Sequence, residues 1–219
     1  MEFFRRFTFY GALEPEQRAL FDANVRARRF ARGEEVYRGE CAGLIFVQRG
    51  RLCAYTLSDA GREITLYRLP AGEVCLLSAS CALAGADFDV FVRAEEDTQA
   101  WLLPSEPFRR LAERSLAFSA FVNERMARRL SDVMWLLDGV LNKKFDARLA
   151  ALLLEERGYA GGDRLELTHE RLAAHLGTAR EAVSRMLKYF EGEGLVRLHR
   201  GGVELLDVAG LERLASEKK

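Results

Sequence analysis

The sequence predicts an α+β protein in which a β-rich half, a long helix and a small helical domain follow one another along the chain. Between residues 30 and 103, short β-prone runs alternate with glycines, which is typical of an antiparallel sandwich or roll. From Met126 to Val140, apolar residues recur at steps of four and three, the period of a coiled coil. From Leu167 to Leu187, two short helical patterns flank a glycine. These three observations define the order of the parts.

Length and composition describe an ordinary globular protein. The chain has 219 residues, of which 49% are hydrophobic and 30% charged, enough for one large or two small domains. The formal net charge is +0, so contact with a nucleic acid would have to come from a local patch. No apolar run approaches a membrane span, and the N-terminal stretch lacks the apolar core of a signal peptide. We therefore expect a cytoplasmic protein without membrane contact, its four cysteines reduced.

The β-rich half is preceded by a predicted helix from Leu13 to Phe30, opened by Glu14 and Pro15. A hairpin tip is expected at Asp59–Gly61. The predicted strands are Leu44–Gln48, Leu52–Leu57, Ile64–Leu69, Phe88–Arg93 and Ala100–Leu103.

The middle of the chain predicts a helix that starts near Ser105, with Ser105 as its cap and Pro107 in the first turn. Further along, the heptad pattern favours a dimer seam over a helix packed on its own domain. The seam residues are Met126, Leu130, Val133, Leu137 and Val140. Asp138, Gly139 and Asn142 are candidate hinge positions.

The C-terminal part predicts a compact helical domain. A helix from Asp146 to Glu156 carries an apolar stripe and ends in the region of Gly158 and Gly161-Gly162. In the hairpin that follows, Thr168 is expected to cap the first helix and Gly177 to end it. We expect Thr178 and Glu181 to form a capping box for the second helix, and Asp207 to cap a last helix from Val208 to about Ser216.

The second helix of the hairpin has one apolar and one polar face. Val183, Met186, Leu187 and Phe190 are expected to point inward. The outward residues are Arg180, Glu181, Ser184, Arg185 and Lys188. An ordinary helical hairpin with a solvated face has the same pattern, but the strand–Gly-Gly–strand run at Leu195–Leu206 predicts a wing and favours a DNA-binding helix-turn-helix.

Nearly the whole chain resembles the Crp/Fnr family of bacterial transcription regulators. The segments that carry the resemblance are REAVSR (Arg180 to Arg185), GLVRLHRGGVELLD and FVQRGRLCAYTLSDAGREITLYRLPAGE. The resemblance implies a cyclic-nucleotide-binding-like double-stranded β-roll (jelly roll) as sensor at 1–104, a dimerisation helix and hinge at 105–142, and a winged helix-turn-helix at 143–219. It also implies RNA polymerase as a partner; we expect a transcription activator, with a repressor as the alternative.

The resemblance further implies how double-stranded DNA is read. Glu181, Ser184 and Arg185 match a family pattern that reads TTGA, whereas Arg180 matches the cyclic-AMP receptor type, which reads TGTGA. We therefore expect a homodimer on an inverted repeat whose half-sites share a TGA core. The candidate phosphate contacts are Thr168, His169, Thr178, Lys188, Arg197, His199 and Arg200.

The sensor departs from the family's cyclic-AMP pocket. Gly72 and Glu73 match the residues that hold the ribose, but Phe88 and Asp89 stand where the phosphate-binding Arg-Ser pair would align. Because a carboxylate there repels a phosphate, we do not expect cyclic AMP to be the effector. An apolar pocket that includes Phe88, Phe91 and Trp135 for an unknown small effector is an alternative, although such aromatics are also typical of a core.

Three cysteines are candidates for an iron–sulfur cluster, another metal or a thiol switch that senses redox state: Cys41, Cys75 and Cys81. The alternative is plain packing, which we expect for Cys53. No cysteine precedes Cys41, so the N-terminal cluster of the fumarate–nitrate type is not expected. A histidine-bound haem in the sensor is not expected either, because His169, His175 and His199 all lie in the C-terminal part.

Two other functions are alternatives to a DNA-binding regulator. An enzyme is not expected, because the sequence has no Ser–His–Asp order, HExxH motif or P-loop. A ligand-binding regulatory module that acts through protein–protein contacts without specific DNA binding would need the phosphate-binding arginine, which is missing, and would not need the wing.

Overall fold

The computed structural model describes residues 2–38, 43–59, 61–76 and 90–216. The chain forms two compact units. The first comprises Met1–Thr56 and Leu66–Val133, and the second comprises Leu57–Thr65 and Met134–Lys219. The boundary along the chain therefore falls inside the long helix.

The described residues contain both helices and strands, as the α+β prediction requires. The helices are a 3₁₀ turn at Glu2–Arg6, α1 Thr8–Ala12, α2 Pro15–Asn24, α3 Ser105–Arg114, α4 Leu116–Asn142, α5 Phe145–Ala160, α6 His169–Leu176, α7 Arg180–Gly192 and α8 Val208–Ser216. The strands are β1 Arg26–Phe30, β2 Glu35–Arg38, β3 Leu44–Arg49, β4 Arg51–Leu57, β5 Glu63–Pro70, β6 Val74–Cys75, β7 Phe91–Ala94, β8 Thr98–Leu103, β9 Arg164–Leu165, β10 Val196–His199 and β11 Gly202–Leu205.

The first unit contains the predicted antiparallel sandwich. Within the described residues its strands form two four-stranded sheets, with orders β1-β8-β3-β6 and β2-β7-β4-β5. In the first sheet Phe46 is opposite Trp101, and Val47 is opposite Ala100. Apolar side chains of both sheets, including Ile45 and Val92, form a buried cluster. The prediction of a β-roll is confirmed.

The predicted helix from Leu13 to Phe30 is wrong at its C-terminal end. The helix α2 stops at Asn24, Val25 is extended, and the next five residues form β1. Strand β1 pairs with β8 along its whole length, so its backbone groups are satisfied by a partner about 70 residues away. Four of the five residues of β1 are exposed, so the strand has no alternation of buried and exposed residues that the sequence could show. Its arginine-rich sequence does not indicate a strand either.

An aromatic cluster closes one end of the first unit. Phe4 is fully buried, and its ring centroid lies 4.8 Å from that of Phe21, 5.2 Å from that of Phe46 and 5.6 Å from that of Trp101. The ring pairs are edge-to-face, the favourable geometry for aromatic contacts. Phe118 of α4 belongs to the same cluster, so the N-terminal segment and the long helix share one core. This role of the N-terminal aromatics was not predicted.

The connection from the roll to the long helix differs in detail from the prediction. Pro104 is the N-cap residue of α3, and Ser105 is already helical, so the predicted Ser105 cap is wrong. The hydroxyl of Ser115 accepts a hydrogen bond from the Phe118 amide at 3.3 Å and begins α4. Helix α4 is continuous for 27 residues, and the candidate hinge residues lie within it.

Among the described residues, no helix has the length and hydropathy needed to cross a bilayer.

The second unit is built around an apolar cluster of helices and one small sheet. Leu149 and Leu153 of α5 are fully buried and pack with Leu172, Val183 and other residues of the hairpin. The sheet has the order β10-β11-β9 within the described residues, which adds the unpredicted strand β9 to the predicted wing. Helix α5 passes through Gly158 and ends at Gly161, which has a φ of 68°. Of the glycines predicted to end the helix, Gly161 does so and Gly158 does not.

Candidate nucleic-acid interface

The hairpin formed by α6 and α7 has the predicted turn. The Thr168 hydroxyl accepts a hydrogen bond from the Arg171 amide at 3.2 Å, so the predicted cap of α6 is confirmed. Gly177 ends the helix with a φ of 62°, a conformation that glycine adopts without steric cost. The Thr178 amide donates to the Ala173 carbonyl at 3.0 Å, which closes the turn.

The predicted capping box of α7 is wrong. Ala179 is the N-cap residue, no side chain caps the helix, and the helical residues begin at Arg180. Glu181 is exposed in the first helical turn, where a carboxylate is favourable next to the positive end of the helix dipole. Since it caps nothing in the free protein, its carboxylate is available to a partner.

Helix α7 separates its two faces as expected. Val183, Leu187 and Phe190 are fully buried in the core of the second unit. Four of the five predicted outward residues are exposed, namely Arg180, Glu181, Arg185 and Lys188. Because the buried face holds the helix in place, the opposite face presents two guanidinium groups and a carboxylate from a rigid helix. This arrangement suits bidentate contacts with base edges.

Ser184, the fifth residue of this face, is half-buried and bonded to the first helix. Its Oγ lies 2.9 Å from Nδ1 of His169. Partial burial, and secondarily the charge of Arg180, lower the pKa of His169 from its usual 6.5. The imidazole is consequently neutral in the free protein at neutral pH.

The wing is attached to α7 by a side chain. The Glu191 carboxylate accepts a hydrogen bond from the Leu198 amide at 2.8 Å. At the tip, Arg200 is exposed next to Gly201, whose φ is 86°. A Cβ on Gly202 would lie 2.1 Å from the Leu165 carbonyl oxygen, so only glycine fits where β11 passes β9. The wing conformation is thus determined by its two glycines.

The predicted phosphate contacts occupy different environments. Lys188 and Arg200 are exposed, whereas Thr178, His169 and His199 are half-buried. Arg197 forms a salt bridge with Glu204 across the wing, with Nη1 and Oε2 at 2.9 Å. Because both side chains are partly exposed to solvent, exchanging this ion pair for a phosphate contact would cost only about 0–1 kcal/mol. Thr168 already uses its hydroxyl as a helix cap.

The predicted seam on α4 is an exposed apolar stripe. Leu130 is 65% exposed and Leu137 is 48% exposed, with Met126 at 39%; Val133 is half-buried. Met134, which was not predicted, adds a side chain that is 56% exposed. The side chain of Val140 lies outside the part of the chain that the structure describes. Within the described residues, several large apolar side chains on one helix are exposed.

In the sensor, Glu73 is engaged by two arginines of α4 that the sequence analysis did not single out. Arg129 forms a close salt bridge with its carboxylate, and Nη1 of Arg125 lies 3.6 Å from Glu73 Oε1. Arg129 also pairs with Asp132 at 2.7 Å, and its guanidinium carbon lies 4.9 Å from the ring centroid of Tyr67. Burial raises the pKa of Tyr67 well above its usual range. In the sequence, the four-residue spacing of Arg125 and Arg129 places both side chains on one face of a helix, and this pattern could have indicated that they act together.

The remaining predicted sensor residues are only partly described. Phe91 in β7 stacks on Tyr55 of β4, with centroids 5.5 Å apart, and so contributes to a ring pair on the sheet. Cys75 is buried in β6, and Cys53 is buried in β4 as expected. Phe88, Asp89, Cys41 and Cys81, together with the side chain of Trp135, lie outside the described residues.

A β-roll with a long helix, and a winged helix-turn-helix with an exposed arginine-bearing helix, define a transcription regulator that combines a sensor with a DNA-binding domain. The comparisons with known proteins agree. Residues 27–115 match the sequence model of the cyclic nucleotide-binding domain, and residues 147–214 match that of the Crp-like helix-turn-helix domain. The chain belongs to the Crp/Fnr family of transcription regulators.

Relatives and solved structures cover nearly the whole chain. The cyclic AMP receptor protein of Thermus thermophilus is 31% identical over 209 residues, covering 94% of this chain and 95% of its own. The transcriptional activator FnrA of Stutzerimonas stutzeri is 28% identical, covering 90% of this chain and 83% of its own. A crystal structure of a Crp/Fnr-family regulator from Eubacterium rectale has a TM-score of 0.94 at 41% identity, covering 99% of this chain and all of that one.

Proposed function

We propose that this transcription regulator works as a homodimer that binds an inverted repeat with TGA-containing half-sites, under the control of a signal other than cyclic AMP. The observation that carries the proposal is the outward face of α7. Arg180, Glu181 and Arg185 are exposed there while the opposite face is fully buried. Arginine donates two hydrogen bonds to guanine, and glutamate accepts one from the amino group of cytosine, so this set suits a G·C pair within TGA.

The dimer is supported by the stripe on α4. Apolar side chains that are 39% to 65% exposed, at coiled-coil spacing, are stabilised when a second copy covers them. A two-fold dimer presents two copies of α7, and each copy then meets one half of an inverted repeat about one helical turn apart.

The absence of a cyclic-AMP response is supported by Glu73. In the family's cyclic-AMP pocket this carboxylate accepts the ribose hydroxyl, but here it is paired with Arg129 and Arg125. A ribose would have to compete with two charge-assisted contacts, and such contacts are stronger than neutral hydrogen bonds. We expect cyclic AMP to leave DNA affinity unchanged when it is added to the protein, as measured by fluorescence anisotropy. A shift in affinity with cyclic AMP would contradict this part of the proposal.

A redox or metal signal at Cys75 with Cys41 and Cys81 is the other proposal for the sensor. A buried thiol is equally suited to packing. An ultraviolet–visible spectrum and metal analysis of anaerobically purified protein test it directly. An absorption band that is lost on exposure to air supports a cluster, and a featureless, metal-free sample rules it out.

The central experiment compares three short duplexes of equal length in an anisotropy titration. One contains a TTGA inverted repeat, one a TGTGA inverted repeat, and one a scrambled sequence of the same composition. We expect at least one repeat to bind about 10³-fold or more tightly than the scrambled duplex, the lower end of known specificity ratios. Equal affinity for all three would favour the alternative, a regulatory module that acts through protein contacts.

Two exposed side chains of α7 provide matched variants. Arg185→Ala is expected to lose about 1–3 kcal/mol on the preferred repeat and to discriminate less at one guanine. Lys188→Ala is expected to weaken binding to all duplexes equally and to reduce the salt slope by about one. If Arg185→Ala weakened specific and scrambled binding equally, the arginine would be a phosphate contact only.

By analogy with the family, we also propose that the protein activates transcription through RNA polymerase. A run-off transcription assay on a template with the preferred repeat upstream of a promoter tests it. Activation that Arg185→Ala abolishes is the expected result, and unchanged or reduced transcription would contradict an activator.

A further inference from the structure

One residue of the α7 face is bonded within the protein before any DNA arrives. The hydroxyl of Ser184 lies 2.9 Å from Nδ1 of His169, which is the first residue of α6. Arg180, in contrast, is exposed on the same face, and so is Arg185. Whether Ser184 can donate or only accept a hydrogen bond at a base therefore depends on whether its hydroxyl donates to His169 or accepts from it.

A serine hydroxyl has one donor and two acceptor sites, whereas each nitrogen of a neutral imidazole is either a donor or an acceptor. When Nδ1 of His169 carries no proton, it accepts, and Ser184 must donate to it. The serine then has only acceptor sites left for a base. When the imidazole is protonated, Nδ1 donates, Ser184 accepts, and its own proton is free to be donated to a base.

The surroundings of His169 keep the neutral form accessible. Among the described residues, the charged groups that line the same cleft as His169 are Glu170 on its own helix and Arg180 at the start of α7; the wing contributes the uncharged Gly201 and Gly202. Partial burial and the Arg180 charge lower the pKa of His169 from 6.5. Protonation is therefore expected below neutral pH, in a range where double-stranded DNA itself does not titrate.

We propose that His169 sets the hydrogen-bonding role of Ser184 at the base edge, so that the protonation state of one imidazole changes which base the helix prefers. With neutral His169 in the tautomer that carries its proton on Nε2, Ser184 donates to Nδ1, keeps only acceptor sites and favours the amino groups of adenine or cytosine. With protonated His169, Ser184 can donate and favours thymine or guanine, whose major-groove polar atoms are acceptors, over cytosine, which offers only a donor. His169 is in this role a positioning residue that acts through Ser184, and the inference rests on the proposed reading of DNA by α7.

A protonated His169 near the DNA backbone would also attract phosphates. That effect strengthens binding to every sequence alike, because a phosphate contact carries no sequence information. The two effects are therefore separable. A change in the ratio of affinities between duplexes reports Ser184, and a change common to all duplexes reports the phosphate contact.

The experiment measures base preference as a function of pH. Each base pair of the preferred half-site is changed in turn to the other three, and competition anisotropy gives relative affinities between pH 5.0 and 8.0. At one position, the affinity for thymine or guanine relative to cytosine is expected to rise by about two- to tenfold as the pH falls, the range of a single neutral hydrogen bond. The other positions keep their preference.

Two variants assign the change to the pair. His169→Gln cannot titrate, so its preference at that position is expected to be the same at all pH values. Ser184→Ala has no hydroxyl and is expected to lose the preference there, while its response at the other positions matches the wild type. Circular dichroism melting shows whether each variant is folded, and the pH series on the wild-type protein is decisive even where a variant is not.

The outcomes separate this inference from the proposed function. Specific binding whose base preference does not change with pH overturns the role of His169 and leaves the DNA-reading face intact. A pH-dependent preference that persists in His169→Gln also overturns it. Binding without any sequence preference at any pH overturns the proposed function itself.

Discussion

Replacing Leu130 with alanine tests the dimer quantitatively. Leu130 is 65% exposed in the single chain, and the proposed seam would bury it. Complete burial of a leucine side chain is worth about 1.5–3 kcal/mol, so two-thirds of it corresponds to about 1–2 kcal/mol in each subunit and about 2–4 kcal/mol in a dimer. Because each 1.4 kcal/mol is a factor of ten, Leu130→Ala is expected to raise the dimer Kd by about 30- to 1000-fold.

Sedimentation equilibrium over a range of protein concentrations measures this Kd directly. Arg128→Ala is the matched control, because Arg128 lies on the same helix with a side chain that is 56% exposed and pairs with Glu124 away from the stripe. Its dimer Kd is expected to change by less than about threefold, because an exposed i,i+4 pair contributes about 0.3–0.5 kcal/mol and is made within one helix, so it is present in monomer and dimer alike. The same association constant in wild type and Leu130→Ala, or a wild-type monomer at all concentrations, would refute the seam.

Three further changes probe the two cores and the interface. Phe4→Ala is expected to destabilise the protein by about 3–5 kcal/mol in urea denaturation, because a fully buried ring in contact with three others is removed. Glu95→Gln is expected to cost about 3–5 kcal/mol, since its carboxylate is 2% exposed and pairs with Arg51 at 2.6 Å. His169→Gln is expected to flatten the dependence of unfolding free energy on pH below about 6.5, the ordinary pKa of histidine. The lowered native pKa means that the unfolded state binds more protons there, so the wild type loses stability as the pH falls.

The first two changes each have a control in the same part of the chain. Phe3→Ala removes a partly buried ring at the edge of the aromatic cluster and is expected to cost less than Phe4→Ala. Glu96→Gln removes the partner of Arg51 that is 50% exposed, so it is expected to cost less than Glu95→Gln. If the two variants of either pair lowered the free energy of unfolding equally, burial of the side chain would not be the cause of the larger loss expected for Phe4→Ala or Glu95→Gln. An identical pH slope in His169→Gln and wild type would show that His169 does not titrate differently in the folded state.

Local signals were sufficient for the winged helix-turn-helix. Thr168, Gly177 and Asp207 act where the sequence placed them, because a cap or a left-handed turn depends on side chains a few residues away. The buried and exposed faces of α7 likewise follow from a 3.6-residue period. The capping box at Thr178 was wrong because the Thr178 amide closes the preceding turn by donating to the Ala173 carbonyl, and the N-cap of α7 is the next residue, Ala179.

Long-range contacts decided what the sequence could not. Arg26–Phe30 became a strand only because β8 lies beside it, and the N-terminal phenylalanines became a core only because Phe46 and Phe118 meet them. The ion pairs of Glu73 with Arg125 and Arg129 join residues more than 50 positions apart. The sequence by itself determined the family, through its motifs, and the helices and outward face of the helix-turn-helix, since caps and helical periodicity act over one or two turns. Which distant side chains become neighbours depends on how the whole chain packs, and only the tertiary structure decided it.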